Sequence, residues 1–213
     1  MPTQNKVTTV ILAGGLGTRI GGDKGLQQLH GRALISWVLE AVRRDSDVVL
    51  INANAAQGNY ANFGYRVIAD QLPDWPGPLA GLHAALSCAT TNYVMTVACD
   101  TPFLPDELLS QLMHDLRLNK SDAAVAVAGG HRQPATALYH RSVLPGLIAY
   151  LDAGGRKVSA WQDTLCLCEV IFDNAAAFEN INTHDDLVRA AHIPEKTRHI
   201  KGSVGQNNSS EKV

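Results

Sequence analysis

The chain has 213 residues, of which 46% are hydrophobic and 18% are charged, and its formal net charge at pH 7 is −2. This composition is typical of a globular protein with a sizeable apolar core, and the length favours one domain. The near-neutral charge provides no long-range attraction to nucleic acids or membrane surfaces. No apolar run approaches the roughly 18–20 residues that cross a bilayer. We therefore expect no nucleic-acid partner and no membrane association.

The first six residues are polar and contain no apolar signal segment. The four cysteines, Cys88, Cys99, Cys166 and Cys168, do not have the spacing of a zinc site. We interpret them as small packing residues in a reducing compartment. These features predict a cytoplasmic protein, which we expect to be a monomer.

Through about residue 100, short apolar strands alternate with helical patterns. The predicted strands are Thr8–Leu12, Val48–Ile51, Tyr65–Ala69 and Tyr93–Ala98. The predicted helices comprise a first one over Leu34 to Val42, a second that begins near Pro78, and a third from about Pro105 to Arg117. This alternation predicts an α/β fold with a doubly wound, mainly parallel sheet and three layers.

The second half of the chain is less regular. The predicted strands there are Ala123–Ala128, Pro134–Tyr139 and Cys166–Phe172, of which the first two form a β-hairpin. The predicted helices are Ser142–Leu151, Lys157–Asp163 and Asp185–His192. Residues 1–193 are interpreted as a single domain. Residues 194–213 are polar and without pattern, which predicts a disordered tail.

A glycine-rich loop follows the first predicted strand. Between Val10 and Lys24 it contains five glycines, at positions 14, 15, 17, 21 and 22, and two cations, Arg19 and Lys24. Because glycine has no Cβ, such a loop can bring its N–H groups against an anion. Paired cations suit a polyphosphate better than an apolar ligand. The alternative is a flexible turn between strand and helix with solvated charges.

Four successive predicted strands each end in a candidate ligand. These residues are Gly14, Asn52, Asp70 and Asp100. In an open α/β sheet, ligands bind beyond the carboxyl ends of the strands, although an Asn or Asp in this position is often a cap or turn residue. Asp100 can bring Mg²⁺ to phosphate oxygens, and the Asn52 amide can pair with a base edge. The loop matches neither a Walker loop nor the Rossmann glycine spacing.

Several motifs occur together and in order over residues 7–192. They are Leu12-Ala-Gly-Gly15, Arg19, Gly22-Asp-Lys24, Asn52-Ala-Asn54, Pro76-Gly-Pro-Leu-Ala-Gly81, Cys99-Asp-Thr-Pro102 and Asn180-Ile-Asn-Thr183. The chain resembles the molybdenum cofactor guanylyltransferase family. The resemblance implies a Rossmann-like fold of the nucleotide-diphospho-sugar-transferase type. It also implies a nucleotide-binding half at about residues 7–104 and an acceptor-binding half at about residues 105–193.

The resemblance implies transfer of GMP from GTP to the terminal phosphate of molybdopterin, with Mg²⁺ as cofactor and release of pyrophosphate. It assigns GTP binding to Leu12, Ala13, Gly14, Gly15, Lys24, Asn52, Asp70 and Asp100. In this assignment Asp100 also binds the metal, and Asn180 and Asn182 lie on the acceptor side. We further expect transient contact with proteins that insert or deliver the molybdenum cofactor.

A phosphate acceptor is already anionic at neutral pH, so the reaction requires charge stabilisation and no general base. Arg19, Lys24 and Asp100 are therefore the predicted catalytic residues. Leu16-Gly17-Thr18 before Arg19 departs from the family and favours an alternative, a sugar-1-phosphate or cytidine-type nucleotidyltransferase. A second alternative is a nucleotide-binding regulator without turnover.

Overall fold

The computed structural model describes residues 6–14, 23–71 and 77–193. The strands are β1 (Val7–Leu12), β2 (Gln28–Leu29), β3 (Arg32–Ala33), β4 (Val48–Asn52), β5 (Arg66–Ile68), β6 (Tyr93–Ala98), β7 (Ala123–Ala128), β8 (His131–His140) and β9 (Leu167–Phe172). The helices are α1 (Leu34–Val42), α2 (Gln57–Ala61), α3 (Pro78–Cys88), α4 (Leu108–Leu118), α5 (Leu144–Asp152), α6 (Val158–Gln162) and α7 (His184–Ala191). Short 3₁₀ turns occur at Lys24–Leu26, Arg141–Val143 and Ala175–Phe178.

Seven strands form the central sheet, in the order β5-β4-β1-β6-β8-β7-β9. Strands β4 and β6 lie on either side of β1, and both run parallel to it. The chain therefore builds the sheet outward in one direction through β4 and β5, then returns to the other side of β1 with β6. Ligands of open α/β sheets bind at such a reversal, outside the carboxyl ends of the strands.

Helices cover both faces of this sheet and form two separate apolar layers. On one face, Val38 of α1 and Leu112 of α4 belong to a buried cluster that includes Ile11 of β1. On the other face, Leu86 of α3 and Leu147 of α5 pack in a cluster that includes Val10 of β1. Neighbouring residues of β1 thus point into opposite layers, as the period of a strand requires. The predicted three-layer α/β fold with a mainly parallel sheet is confirmed.

The hairpin predicted in the second half is confirmed and has a specific place in the sheet. Strand β8 runs antiparallel to both of its neighbours, β6 and β7. Strand β9 pairs in parallel with β7 at one end of the sheet. The antiparallel strand β8 therefore lies between two parallel parts, β5-β4-β1-β6 and β7-β9. Strand β8 begins at His131, three residues before the predicted start at Pro134.

Four elements were absent from the predictions made from the sequence. These are the β2–β3 hairpin, helix α2 and the 3₁₀ turns at Lys24–Leu26 and Ala175–Phe178. The helix, strand and turn segments in this group have five residues or fewer, which is too short to display a helical or strand period. Helix α4 begins at Leu108 and not at the predicted Pro105, because a turn closed by the Leu108 N–H and the Pro105 carbonyl precedes it.

The predicted tail at residues 194–213 lies outside the described residues. The division into two halves within one domain stays a prediction. In the part of the chain that the structure describes, no helix is both long enough and apolar enough to cross a membrane.

Two leucines of α4 provide a test of this packing. Leu112 is fully buried between α4 and the sheet, whereas Leu118 at the end of the same helix is 70% exposed. We expect Leu112→Ala to lower the free energy of unfolding by about 2–5 kcal/mol, because it removes buried methyl groups and leaves a cavity. Leu118→Ala should change it by less than about 0.5 kcal/mol. Denaturant unfolding measures both; equal losses would contradict the described burial.

Candidate active site

A cavity of about 230 Å³ opens at the carboxyl edge of the sheet, where β1, β4 and β6 end. Seven of the residues predicted from the sequence line it, namely Leu12, Gly14, Lys24, Asn52, Asp70, Asp100 and Asn180. Its other lining residues are Gly77, Pro78, Ala98, Cys99 and Ala135. The predicted site residues Gly15 and Arg19 lie outside the described part of the chain.

The end of β1 forms the floor of this cavity. The N–H of Ala13 donates to the carbonyl of Asn52 at 2.8 Å, and the N–H of Cys99 donates to the carbonyl of Leu12 at 3.1 Å. These bonds fix the last residues of β1 between the ends of β4 and β6. Ala13 is buried, and the exposed Gly14 follows it. A ligand can approach the backbone closely at Gly14, because the glycine carries no side chain.

Lys24 enters the cavity from a 3₁₀ turn that is packed against the core. A Cβ on the next residue, Gly25, would lie 2.8 Å from the Tyr60 hydroxyl and 3.2 Å from the Cβ of Cys99. The turn is therefore in close contact with the fully buried Tyr60 of α2. From this position the Lys24 ammonium lies 3.3 Å from a carboxylate oxygen of Asp100. The side chain of Lys24 is 26% exposed and that of Asp100 is 9% exposed.

Two hydrogen bonds fix the backbone around Asp100. The Thr101 hydroxyl donates to the carbonyl of Ala98, and the N–H of Ile181 donates to the carbonyl of Asp100 at 2.9 Å. The carboxylate consequently faces Lys24 at the cavity. Burial raises the pKa of the neighbouring Cys99 thiol, and the negative charge of Asp100 raises it further. Cys99 therefore stays protonated at neutral pH and is not a nucleophile.

A second polar cluster surrounds Asp70, after β5. The Asn52 amide donates to one carboxylate oxygen of Asp70 at 2.9 Å, and the Asn54 amide donates to the other at 2.7 Å. The N–H of Asp70 in turn donates to the Asn54 side-chain oxygen at 2.9 Å. Both amides thus orient a single carboxylate that borders the cavity. Asn54 had no assigned role, although its spacing of two residues from Asn52 places it near the same strand end.

Helix α3 closes this cluster from the other side. A Cβ on Gly81 would lie 2.4 Å from the side-chain oxygen of Asn52 and 2.9 Å from a methyl carbon of Leu12. The glycine therefore allows the helix to approach the buried Asn52 closely. Two residues further along α3, burial lowers the pKa of His83, while the charge of Asp70 opposes this shift. The lowered pKa favours a neutral His83 imidazole at pH 7.

The two asparagines predicted on the acceptor side lie before α7. Ile181 is buried between them in a cluster with Trp37 of α1, and this anchors the segment. Asn180 is exposed and lines the cavity. Asn182 is half-buried, and its side-chain oxygen accepts a hydrogen bond from Lys24 at 2.5 Å. The structure thus brings Asn182 to Lys24, a contact between distant parts of the chain that the sequence pattern did not reveal.

Helix α7 begins at His184, one residue before the predicted start at Asp185, and its start is capped by Thr183 and Asp186. The Thr183 hydroxyl accepts from the N–H of Asp186 at 3.1 Å. A carboxylate oxygen of Asp186 accepts from the N–H groups of Asn182 and Thr183, at 2.9 and 2.8 Å. These hydrogen bonds hold the pKa of Asp186 below its usual value, with the bond from Asn182 the largest cause. The cap therefore holds the backbone of Asn182 in place at neutral pH.

Comparison with known proteins gives a consistent result over most of the chain. The MobA-like NTP transferase domain family matches residues 9–165. A molybdenum cofactor guanylyltransferase of Cupriavidus metallidurans is 42% identical over 193 residues, which cover 88% of this chain and 95% of that protein. A Vibrio cholerae protein of the same name is 42% identical over 182 residues, which cover 84% of this chain and 89% of that protein.

Solved structures show the same relationship. A crystal structure named molybdopterin-guanine dinucleotide biosynthesis protein A, from Archaeoglobus fulgidus, superposes with a TM-score of 0.74 at 30% identity, covering 87% of this chain and 97% of that one. A Thermus thermophilus 2-C-methyl-D-erythritol 4-phosphate cytidylyltransferase has a TM-score of 0.64 at 18% identity, covering 85% of this chain and 96% of that one, and shares the fold alone. The chain therefore belongs to the MobA-like NTP transferases and, within them, to the molybdenum cofactor guanylyltransferases.

Proposed function

We propose that the protein transfers GMP from GTP to the terminal phosphate of molybdopterin, which forms the guanine dinucleotide and releases pyrophosphate. The relatives' names and the family match support guanylyl transfer. One observation carries the assignment to this cavity. A cation–carboxylate pair, Lys24 and Asp100, shares a single cavity with an amide–carboxylate cluster around Asp70. The first suits a triphosphate and the second suits a base.

The reaction needs positioning and charge stabilisation. An anionic oxygen of the acceptor phosphate bonds to the α-phosphorus of GTP, and the bond from that phosphorus to the oxygen bridging to the β-phosphorus breaks. The electron pair of the broken bond leaves with pyrophosphate. Because the attacking phosphate oxygen is already anionic, no proton has to be removed from the acceptor. Lys24 binds the triphosphate and stabilises the charge that develops there. Arg19 and Gly15, which lie outside the described residues, keep their predicted roles at the same phosphates.

The residues at the cavity fit a magnesium ion that arrives with the nucleotide. Mg²⁺ is held by one or two carboxylates together with phosphate oxygens and waters, and Asp100 presents such a carboxylate beside Lys24. Among the described residues, no group of three or more acidic, histidine or cysteine side chains forms a protein-only metal site. Mg²⁺ bound at Asp100 would neutralise charge on the phosphates. Asp100 would orient it, and Lys24 would supply the neighbouring positive charge.

The Asp70 cluster supports recognition of guanine. A guanine edge carries two neighbouring donors, N1–H and the exocyclic amino group, and one carboxylate can accept from both. Asn52 and Asn54 each use one lone pair of an Asp70 oxygen, and each oxygen retains a second. The N–H of Ala13 is already donated to Asn52, so a contact of Ala13 with GTP would be made by its carbonyl oxygen. Leu12 and Gly14 contribute backbone and surface at the cavity floor.

The remaining expectations belong to the same proposal. Asn180, which is exposed at the cavity, is assigned to the acceptor. The protein acts as a monomer in the cytoplasm and passes its product to proteins that insert or deliver the molybdenum cofactor. The low net charge of −2 is in keeping with substrates that are bound by local cations and not by a strongly charged surface.

A pyrophosphate-release assay with molybdopterin, Mg²⁺ and each of GTP, CTP, UTP and ATP tests this function directly. We expect release with GTP and at most a small fraction of that rate with the others. Thermal unfolding with each nucleotide provides an independent comparison, because a bound ligand stabilises the folded state. A preference for CTP or UTP would favour the cytidine-type or sugar-1-phosphate alternative. Binding of GTP without pyrophosphate release would indicate a regulator.

Asp100→Ala tests the metal assignment. We expect a folded protein whose guanylyl-transfer rate is at least about 100-fold lower, because the variant loses the carboxylate that orients the metal at the phosphates. Asp152→Ala, at the exposed end of α5 and outside the cavity lining, is the matched control and should retain normal turnover. Steady-state rates over a Mg²⁺ titration measure the effect. Near-normal turnover of Asp100→Ala would refute the assignment.

Gly81→Ala tests the guanosine side. The added methyl group would displace the Asn52 side chain, and we expect GTP binding to weaken by roughly 10- to 100-fold. The control is Gly146→Ala on α5, where an added Cβ meets no atom within 4 Å. That variant should bind GTP normally and gain up to about 1 kcal/mol of stability from its better helix propensity. Calorimetric titration with GTP compares the two; equal affinity in both variants would contradict a role for Asn52.

A further inference from the structure

The ammonium group of Lys24 lies between two oxygen atoms from distant parts of the chain. It lies 3.3 Å from the carboxylate of Asp100 and 2.5 Å from the side-chain oxygen of Asn182. The contact with the neutral amide is the shorter of the two. Asn182 therefore takes part in placing the cation that the proposed function assigns to the triphosphate.

Asn182 is well suited to fix another side chain because its own backbone is fixed. Its N–H donates to the carboxylate of Asp186, which also caps α7. The preceding residue, Ile181, is buried and donates its N–H to the carbonyl of Asp100. The same short segment thus binds Asp100 through its backbone and Lys24 through its side chain, so the two charged groups share one support.

The chemistry of the amide explains why it differs from Asp100 as a partner for Lys24. Asp100 is also the carboxylate proposed for Mg²⁺, and its contact with Lys24 competes with that use. An amide oxygen accepts a hydrogen bond without carrying a charge. Lys24 can therefore keep Asn182 as a partner while its full positive charge remains available to the phosphates.

We propose that Asn182 is a positioning residue for Lys24, and that it acts on GTP binding rather than on the acceptor. This inference rests on the proposed function, because it takes GTP as the ligand of Lys24. It changes the side of the reaction to which the sequence motif assigned Asn182. Asn180, its neighbour in the motif, remains on the acceptor side.

Calorimetric titration with GTP and Mg²⁺, without acceptor, tests this role in two variants. Asn182→Ala removes the tether and should weaken GTP binding roughly tenfold, the scale of a lost hydrogen bond to a charged group. Asn182→Asp has nearly the same shape but adds a negative charge beside Lys24. It should weaken GTP binding roughly 100-fold, because the triphosphate then meets a second carboxylate.

A double-mutant cycle shows whether the effect passes through Lys24. In a Lys24→Met background, Asn182→Ala should have no further effect on GTP affinity, because the cation that it positions is gone. Asn119→Ala, at the exposed end of α4 and outside the cavity lining, is the matched asparagine control and should bind GTP normally. Thermal unfolding midpoints of all variants show that they are folded.

Two results would overturn the inference while leaving the proposed function intact. Unchanged GTP affinity in both Asn182 variants, with a raised KM for molybdopterin, would return Asn182 to the acceptor side. A loss of GTP affinity in Asn182→Ala that persists in full in the Lys24→Met background would reduce its role to packing. Failure of the unaltered protein to bind GTP at all would instead reject the proposed function.

Discussion

The ion pair between Lys24 and Asp100 is the interaction on which the site depends. It joins the segment after β1 to the segment after β6, two strands that lie side by side at the reversal of the sheet. Asn182 brings a third segment, before α7, to the same point. The attraction between two opposite charges is stronger in a partly buried pair than at the surface, because less water screens it. The fold thus concentrates opposite charges where phosphates and a divalent cation would both be stabilised.

The other end of the cavity relies on close packing. Asn52 is buried beneath α3, and its amide holds Asp70 at the cavity edge. This arrangement requires α3 to lie very close to the Asn52 side chain, and Gly81 makes that approach possible because it carries no Cβ. The charged end and the amide end are therefore built by different means, one by attraction between ions and one by the absence of a Cβ. Both depend on the strand ends being aligned.

The sequence was sufficient for the layers of the fold and for most of the cavity. Buried strands produce continuous apolar runs, and the residues at their ends, such as Asn52 and Asp100, meet because parallel strands end at one edge. The contact of Lys24 with Asn182 was not predictable, because no local period relates two positions 158 residues apart. Helix α2 was missed for the opposite reason, since its five residues are too few to show a period.

The segment that leads into α7 has a consequence for how the protein is made, because its Asn182 contacts Lys24. Asn182 and Lys24 are separated by 158 residues, so the Lys24 contact forms only when nearly the whole domain has left the ribosome. A nascent chain that ends after β6 has both charged residues but lacks the segment that supports them. The phosphate end of the cavity is therefore completed late in synthesis, and the first half of the domain does not carry the finished site by itself.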